Sequence, residues 1–216
     1  MEFASLVELF RTRRSIRKWK ETPVPVELLL QAIEAAGWSP NSGGRQPYHC
    51  YLITNRKKID EIGQAVQEVT DYLADLCVEE ADKPTVERWR KNSGFFRNAP
   101  VLIAVTAGIY QSVADKLQVS HMDDCKVAEV NRCRQIASSR VQTVGCFVDH
   151  LLLALHSLRL GAVYMAGPTQ AKTAVEKIIG TKPDEDFVAL VPVGYADEEP
   201  AVPARKPLTE LVTLLE

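Results

Sequence analysis

The run Arg11-Thr12-Arg13-Arg14-Ser15-Ile16-Arg17-Lys18 holds five basic residues and no acid in a 216-residue chain whose formal net charge is only -2. A local cationic excess of that kind asks for an anion, and its residue types suit a phosphate. Guanidinium forks grip oxyanion oxygens in pairs, and the Ser15 hydroxyl can add a hydrogen bond. A solvated basic turn would look the same by composition, so the rest of the chain has to decide.

The surroundings position the run. Phe3, Leu6, Val7 and Phe10 recur at helical spacing, which predicts a first helix ending around Arg11 to Arg13 and delivering the basic cluster just beyond it. Thr22-Pro23-Val24-Pro25 then breaks the chain, because each proline lacks an N–H and holds the preceding residue extended. A second helix is predicted from about Val26 to Gly37, burying Leu29, Leu30, Ile33 and Ala36.

Ser39-Pro40-Asn41-Ser42-Gly43-Gly44-Arg45-Gln46-Pro47-Tyr48 is too rich in turn formers for regular structure, and a strand-like run, His49 to Thr54, follows it. Paired glycines admit positive φ and bring bare backbone close to a neighbour. Such a loop is either a plain connection or a wall for a flat, hydrogen-bonding ligand. Arg56 to Asn92 reads as charged amphipathic helix with Ile59, Ile62, Val66, Val69 and Leu73 on one stripe. Phe95 and Phe96 read as core, and Ala99 to Val105 as a central strand.

The strongest periodicity lies in Ser138 to Leu160, where Val141, Val144, Phe147, Val148, Leu151, Leu152, Leu155 and Leu158 recur at threes and fours. Little polar face remains, which predicts a helix covered nearly all round, at the centre of the fold or at an oligomer interface. His150 and His156 beside it read as structural. Gly161 to Met165 predicts a short strand, Ala166-Gly167-Pro168 a tight turn, Gln170 to Ile179 a helix and Phe187 to Val193 a buried strand. A final amphipathic helix is predicted from Leu208, Leu211, Val212 and Leu215. Strands separated by long helices give a mixed α and β class in one domain, 1–216. The absence of G-x-G-x-x-G argues against a Rossmann dinucleotide site.

Composition narrows the partners. Hydrophobic residues make up 46% and charged residues 25%, as in ordinary globular proteins. The near-neutral balance argues against nucleic-acid binding, and no apolar run approaches the roughly 18 residues of a membrane span. Met1-Glu2-Phe3-Ala4 shows no secretory signal, so a cytoplasmic protein is expected. Cys50, Cys77, Cys125, Cys133 and Cys146 form an odd set without C-x-x-C, which fits a reducing compartment. His121, Cys125 and Cys133 match no established metal-ligand spacing.

Three features together resemble the FMN-dependent nitroreductases. Arg13-Arg14-Ser15-Ile16-Arg17 matches the family's R-[RH]-S-x-[RK] stretch after the first helix. Ser39 to Tyr48 is similar to its S-P-S-S-x-N-x-Q-P-W loop, and Gly194-Tyr195, Pro200 and Arg205-Lys206 resemble its C-terminal G-Y-x-x-x-x-P with a following basic pair. The resemblance implies an α+β fold around a mostly antiparallel sheet flanked by helices, with two subunits intertwined as a homodimer and FMN at their interface. By the same resemblance Arg13, Arg14, Ser15 and Arg17, with Arg205 and Lys206, hold the FMN phosphate and ribityl chain. Pro40, Asn41 and Ser42 come from the partner subunit against the flavin ring, Ala166 and Gly167 approach it through the backbone, and Asn92 hydrogen-bonds it.

The implied activity passes hydride from NAD(P)H to flavin N5 and then electrons to a nitroaromatic, a quinone or another flat acceptor, in ping-pong fashion. No general acid is required, in keeping with the lack of a convincing His/Asp or Ser/His pair. Asn41 and Gly44 depart from the family's serine and asparagine, and Phe95 stands where the family often carries a lysine. Loss of that cation is expected to shift the flavin potential or the substrate preference. Other branches (flavin, enone or dehalogenating reductases), a non-catalytic flavin-binding protein and a merely dimerising helical protein are the competing readings.

Overall fold

The computed structural model describes residues 2–215; Met1, where the N-terminal reading begins, and Glu216 lie outside them. Four strands form one sheet in the order β1-β2-β4-β3: β1 is Tyr48–Ile53, β2 Val101–Gly108, β3 Gly161–Ala162 and β4 Glu185–Gly194. Every pairing between them is antiparallel. A parallel contact comes from Ser15, which bridges to Ala162. The sheet is therefore mostly antiparallel and flanked by helices, as expected.

Strand β2 explains why its sequence is apolar without alternation. Successive side chains point to opposite faces, and both faces are covered. Val101, Ile103, Val105 and Ala107 join one core with Leu29, Phe147, Leu151 and Leu155, from helices α2 (Val26–Ala36) and α7 (Ser139–Ser157). Leu102 and Ala104 join a second core with Ile59, Ile62, Val66 and Val175, from α3 (Arg56–Asp75) and α8 (Lys172–Ile179). The first helix, α1, is Phe3–Thr12, so the basic run starts where it ends.

Some elements differ from their sequence reading. The helical pattern of 56–92 is two helices, α3 and α4 (Lys83–Asn92), because Pro84 opens a new first turn. Helix α7 buries one stripe, while Val141 and Cys146 stay exposed within the protomer. Between β2 and α7, α5 (Val113–Val119) and α6 (Cys125–Ala137) form, the former with a Ser112/Asp115 capping box and the latter capped by Asp124. The final helix, α9, is a single turn, Leu208–Leu211, with Leu208 and Leu211 exposed. Among the described residues its apolar side chains meet no facing surface, and an unsupported helix that short does not propagate. Among the described residues no helix is long and apolar enough to cross a membrane.

Candidate functional site

The basic segment is held flat against the edge of the sheet. The Ile16 N–H donates to Ala162 O at 3.1 Å, the Lys20 N–H to Tyr195 O at 2.9 Å and the Asp197 N–H to Lys18 O at 3.0 Å. Ile16 and Trp19 are buried as anchors, and the Trp19 indole N–H donates to Gly161 O at 2.9 Å. The sheet must be bare for this approach. A Cβ on Gly161 would lie 2.9 Å from Ile16, and one on Gly194 would lie 2.8 Å from Pro100. With Ile16 and Trp19 turned inward, the polar members of the run are left to the surface.

Glu198 brings the other end of the chain to the same place. Its carboxylate accepts the backbone N–H groups of Arg17 and Lys18, the latter at 3.1 Å. Beyond it the chain carries Pro200 and Pro203, which hold the backbone extended. The outcome is a cleft of about 320 Å³ lined by Arg13, Arg14, Ser15, Arg17, Pro200 and Arg205, with Ala201 and Pro203. Four arginines and a serine line it, and among the described residues no carboxylate does. That donor set fits a phosphate monoester, which offers only acceptors and up to two negative charges. One edge of Arg14 is already committed, since Nη1 donates to Arg11 O and Arg13 O, both at 2.7 Å, where it caps the end of α1.

A second cleft of about 270 Å³ adjoins the first and shares Arg14 and Pro200 with it; His156, Arg159 and Thr12 are on its wall. Burial, and then the charges of Arg13, Arg14 and Arg159, hold the His156 imidazole below its ordinary pKa. This histidine reads from sequence as structural. It does hold structure, but of the segment that carries the arginines. Glu198 is the residue that sequence reasoning missed, and an acid two residues after a strand-closing Tyr-Ala gave no distinct signal.

The other predicted site residues lie apart from the arginine cleft within the protomer. Pro40, Asn41 and Ser42 sit in the loop before β1, where Gly43 and Gly44 adopt φ of 66° and 63°. Asn41 Oδ1 accepts the Gln46 N–H at 2.9 Å, and the Gln46 side-chain amide donates to Gly37 O at 3.1 Å, so the loop is folded on itself. Arg45 stacks over the Tyr110 ring, 4.8 Å from its centre. Ala166 and Gly167 form the start of a 3₁₀ turn after β3. Asn92 closes α4, and its amide donates to Arg88 O at 2.8 Å, within its own helix. Lys206 lies 3.7 Å from Glu210 and does not line the cleft. Phe95 is partly buried against the second core and stacks on Trp19 with ring centres 6.2 Å apart.

Known proteins resemble this chain in sequence and in fold. An iodotyrosine deiodinase of Hydra vulgaris is 28% identical over 93% of this chain and 69% of its own length. A protein of Methanothermobacter thermautotrophicus, provisionally named an NADH dehydrogenase/NAD(P)H nitroreductase, is 28% identical over 90% of this chain and 79% of its own. A BluB-like flavoprotein of Clostridium difficile shares the fold, with a TM-score of 0.87 over 100% of both chains at 23% identity. The model of the nitroreductase family matches residues 10–195, a span that runs from the last turn of α1 to the residue after β4, and the chain therefore belongs to the nitroreductase family.

Proposed function

We propose that the protein is an FMN-dependent oxidoreductase that moves electrons from NAD(P)H to a nitroaromatic, a quinone or a similar flat acceptor by a ping-pong mechanism. The observation that carries the reading is the meeting of Arg13, Arg14, Ser15 and Arg17 with Arg205 around one acceptor-seeking cleft. Arg13, Arg17, Arg205 and Ser15 hold the phosphate, and Arg14 contributes the edge of its guanidinium that does not cap α1. When bound, FMN supplies the hydride-accepting and electron-returning chemistry, which no side chain of the protein can supply.

The remaining residues position and enclose. Ala166 and Gly167 offer backbone to the ring. Pro40, Asn41 and Ser42 lie outside the cleft of their own protomer, so they serve the site of a second copy in a homodimer, and Asn92 adds its amide from the end of α4. The whole chain, 1–216, acts as one domain in the cytoplasm. Residues around the ring orient the donor and then the acceptor on one face and exclude water, which is how positioning contributes to rate.

A second reading, reductive removal of halide from a halogenated phenol, is favoured by the Hydra vulgaris relative. The test is an absorption spectrum of the purified protein. A flavin spectrum that bleaches with NADH or NADPH without air, and recovers with a nitroaromatic or quinone, supports the proposal. Recovery only with an iodophenol selects the second reading. A flavin that no nicotinamide bleaches makes the protein a binding module, and a colourless protein that does not take up added FMN overturns both readings.

A further inference from the structure

Helix α7 is closed by an arginine in a conformation that favours glycine. The Arg159 N–H donates to His156 O at 3.0 Å and the Leu160 N–H to Leu155 O at 2.9 Å, the bonds that end a helix when the residue after its last turn becomes left-handed. Arg159 is that residue, at φ 64°. Glycine turns this way without penalty, whereas any other L-residue brings its Cβ against its own backbone. Backbone strain of this kind collects where a side chain has a task.

The surroundings of Arg159 indicate the task. With Arg14, His156 and Pro200 it lines the second cleft, of about 270 Å³, and Arg14 and Pro200 line the phosphate-sized cleft as well. Arg159 is exposed. Among the described residues neither it nor Arg13, Arg14, Arg17 or Arg205 forms an ion pair.

The acids nearby do not cancel these charges. Glu198 is committed to the backbone N–H groups of Arg17 and Lys18, and Glu199, on the wall of the second cleft, pairs with none of the five arginines. His156 registers the resulting field, because burial first and then Arg13, Arg14 and Arg159 hold its imidazole below the ordinary pKa. Like charges gathered without counter-charges repel one another, and an anion relieves them together. We propose that Arg159 is a positioning residue of the phosphate site, adding positive charge beside Arg14 that draws in a phosphate monoester and helps to hold it. The ligand's identity as FMN rests on the function proposed above, while its charge follows from the arginines themselves.

The test is titration of the full chain with FMN, followed by fluorescence, at about 20 mM and about 0.5 M salt. Arg159→Gln and Arg159→Gly should each raise the dissociation constant about two- to fivefold at the lower salt, the size of one charge acting across water, and far less at the higher. Arg159→Lys keeps the charge and should bind as the wild type does. Without FMN, Arg159→Gly should raise the urea midpoint above that of Arg159→Gln by roughly a few tenths of a molar, since only glycine relieves the left-handed turn. A gain in stability with a loss of affinity is an outcome that a purely structural arginine would not produce. Equal dissociation constants in the wild type and Arg159→Gln at low salt overturn the proposal, and so does a loss that Arg159→Lys fails to rescue. Calorimetric titration with inorganic phosphate separates this inference from the cofactor reading. Uptake of phosphate but not of FMN, with the same order of variants, fails the cofactor reading alone, and a chain in which neither titrant distinguishes the variants fails this one.

Discussion

His156 Nε2 lies 2.9 Å from Thr12 Oγ1, tying the last turn of α7 to the last residue of α1, where the arginine run departs. The Thr12 hydroxyl itself donates to Glu8 O at 2.8 Å, so the imidazole is the donor and carries its proton on Nε2. Burial, then Arg13, Arg14 and Arg159, depress the folded-state pKa of His156. Between the folded and unfolded values the unfolded chain binds more protons, so stability rises with pH across that window and falls on acidification. The denaturant midpoint should drop as pH is lowered from about 7.5 to about 5.5, through the unperturbed histidine value near 6.5. His156→Gln, whose amide can still donate to Thr12, should flatten that slope, and an unchanged slope would remove His156 as its source.

Arg205 and Lys206 are neighbours in sequence but separate in consequence. Arg205 lines the arginine cleft, while Lys206 lies over Glu210 at the start of the last turn. Hydrogen bonds to charged groups contribute about 1.5–3 kcal/mol each, or roughly ten- to hundredfold in affinity. Arg205→Gln should therefore raise the FMN dissociation constant by about that factor, and Lys206→Gln should change it by less than about threefold, as expected of an exposed ion pair. Fluorescence quenching of added FMN measures both. Equal effects would show that the cleft does not distinguish the pair.

The approach of Ile16 to Gly161 gives a test of how the segment is held. A methyl group on Gly161 would meet the Ile16 side chain at 2.9 Å, closer than packed carbon atoms tolerate. Overpacking of this kind costs about 1–3 kcal/mol. Gly161→Ala should lower the urea midpoint accordingly; a companion Ile16→Ala, which removes the two crowded Cγ atoms, should relieve the clash, whereas Ile16→Val, which keeps both, should not. Gly63→Ala makes an instructive contrast: its Cβ would meet the Arg97 side chain, but a half-exposed arginine can swing aside, so a smaller loss is expected.

What was legible in the sequence was what periodicity and motif carry. The apolar run of β2, the stripe of α3 and the central stripe of α7 are each fixed by which side chains must leave water, and they were placed within a few residues. The arginine motif and Arg205 could be paired only through the family resemblance, because nothing local in either segment encodes a partner almost two hundred residues away. The misses share a physical origin. Leu208, Leu211, Val212 and Leu215 have helical spacing, but spacing does not reveal whether a facing surface exists, and the helix stops after one turn. Glu198 left no trace in composition either, because its role as acceptor for the Arg17 and Lys18 N–H groups is a property of packing.

Phe95 occupies the position where the family often carries a lysine, and the sequence suggests that losing the cation retunes a bound flavin. The structure points elsewhere. Phe95 is half-buried and stacks on Trp19 at an interplanar angle of 11°, while the same indole fixes the arginine segment through its bond to Gly161 O. Aromatic pairs contribute about 0.5–1.5 kcal/mol beyond their buried area, and a lysine here would lose that contact while its long stem let the ammonium reach water. Phe95→Lys should therefore cost roughly 1–3 kcal/mol in stability, consistent with partial loss of a core contact, and Phe95→Leu should cost less. The midpoint potential of bound FMN should stay where it is, because the ammonium escapes to solvent, where its field is screened, rather than remaining beside the flavin. A clear rise in potential in Phe95→Lys would return this residue to the edge of the flavin ring, and melting curves and spectroelectrochemical titration on the same variant tell the two roles apart.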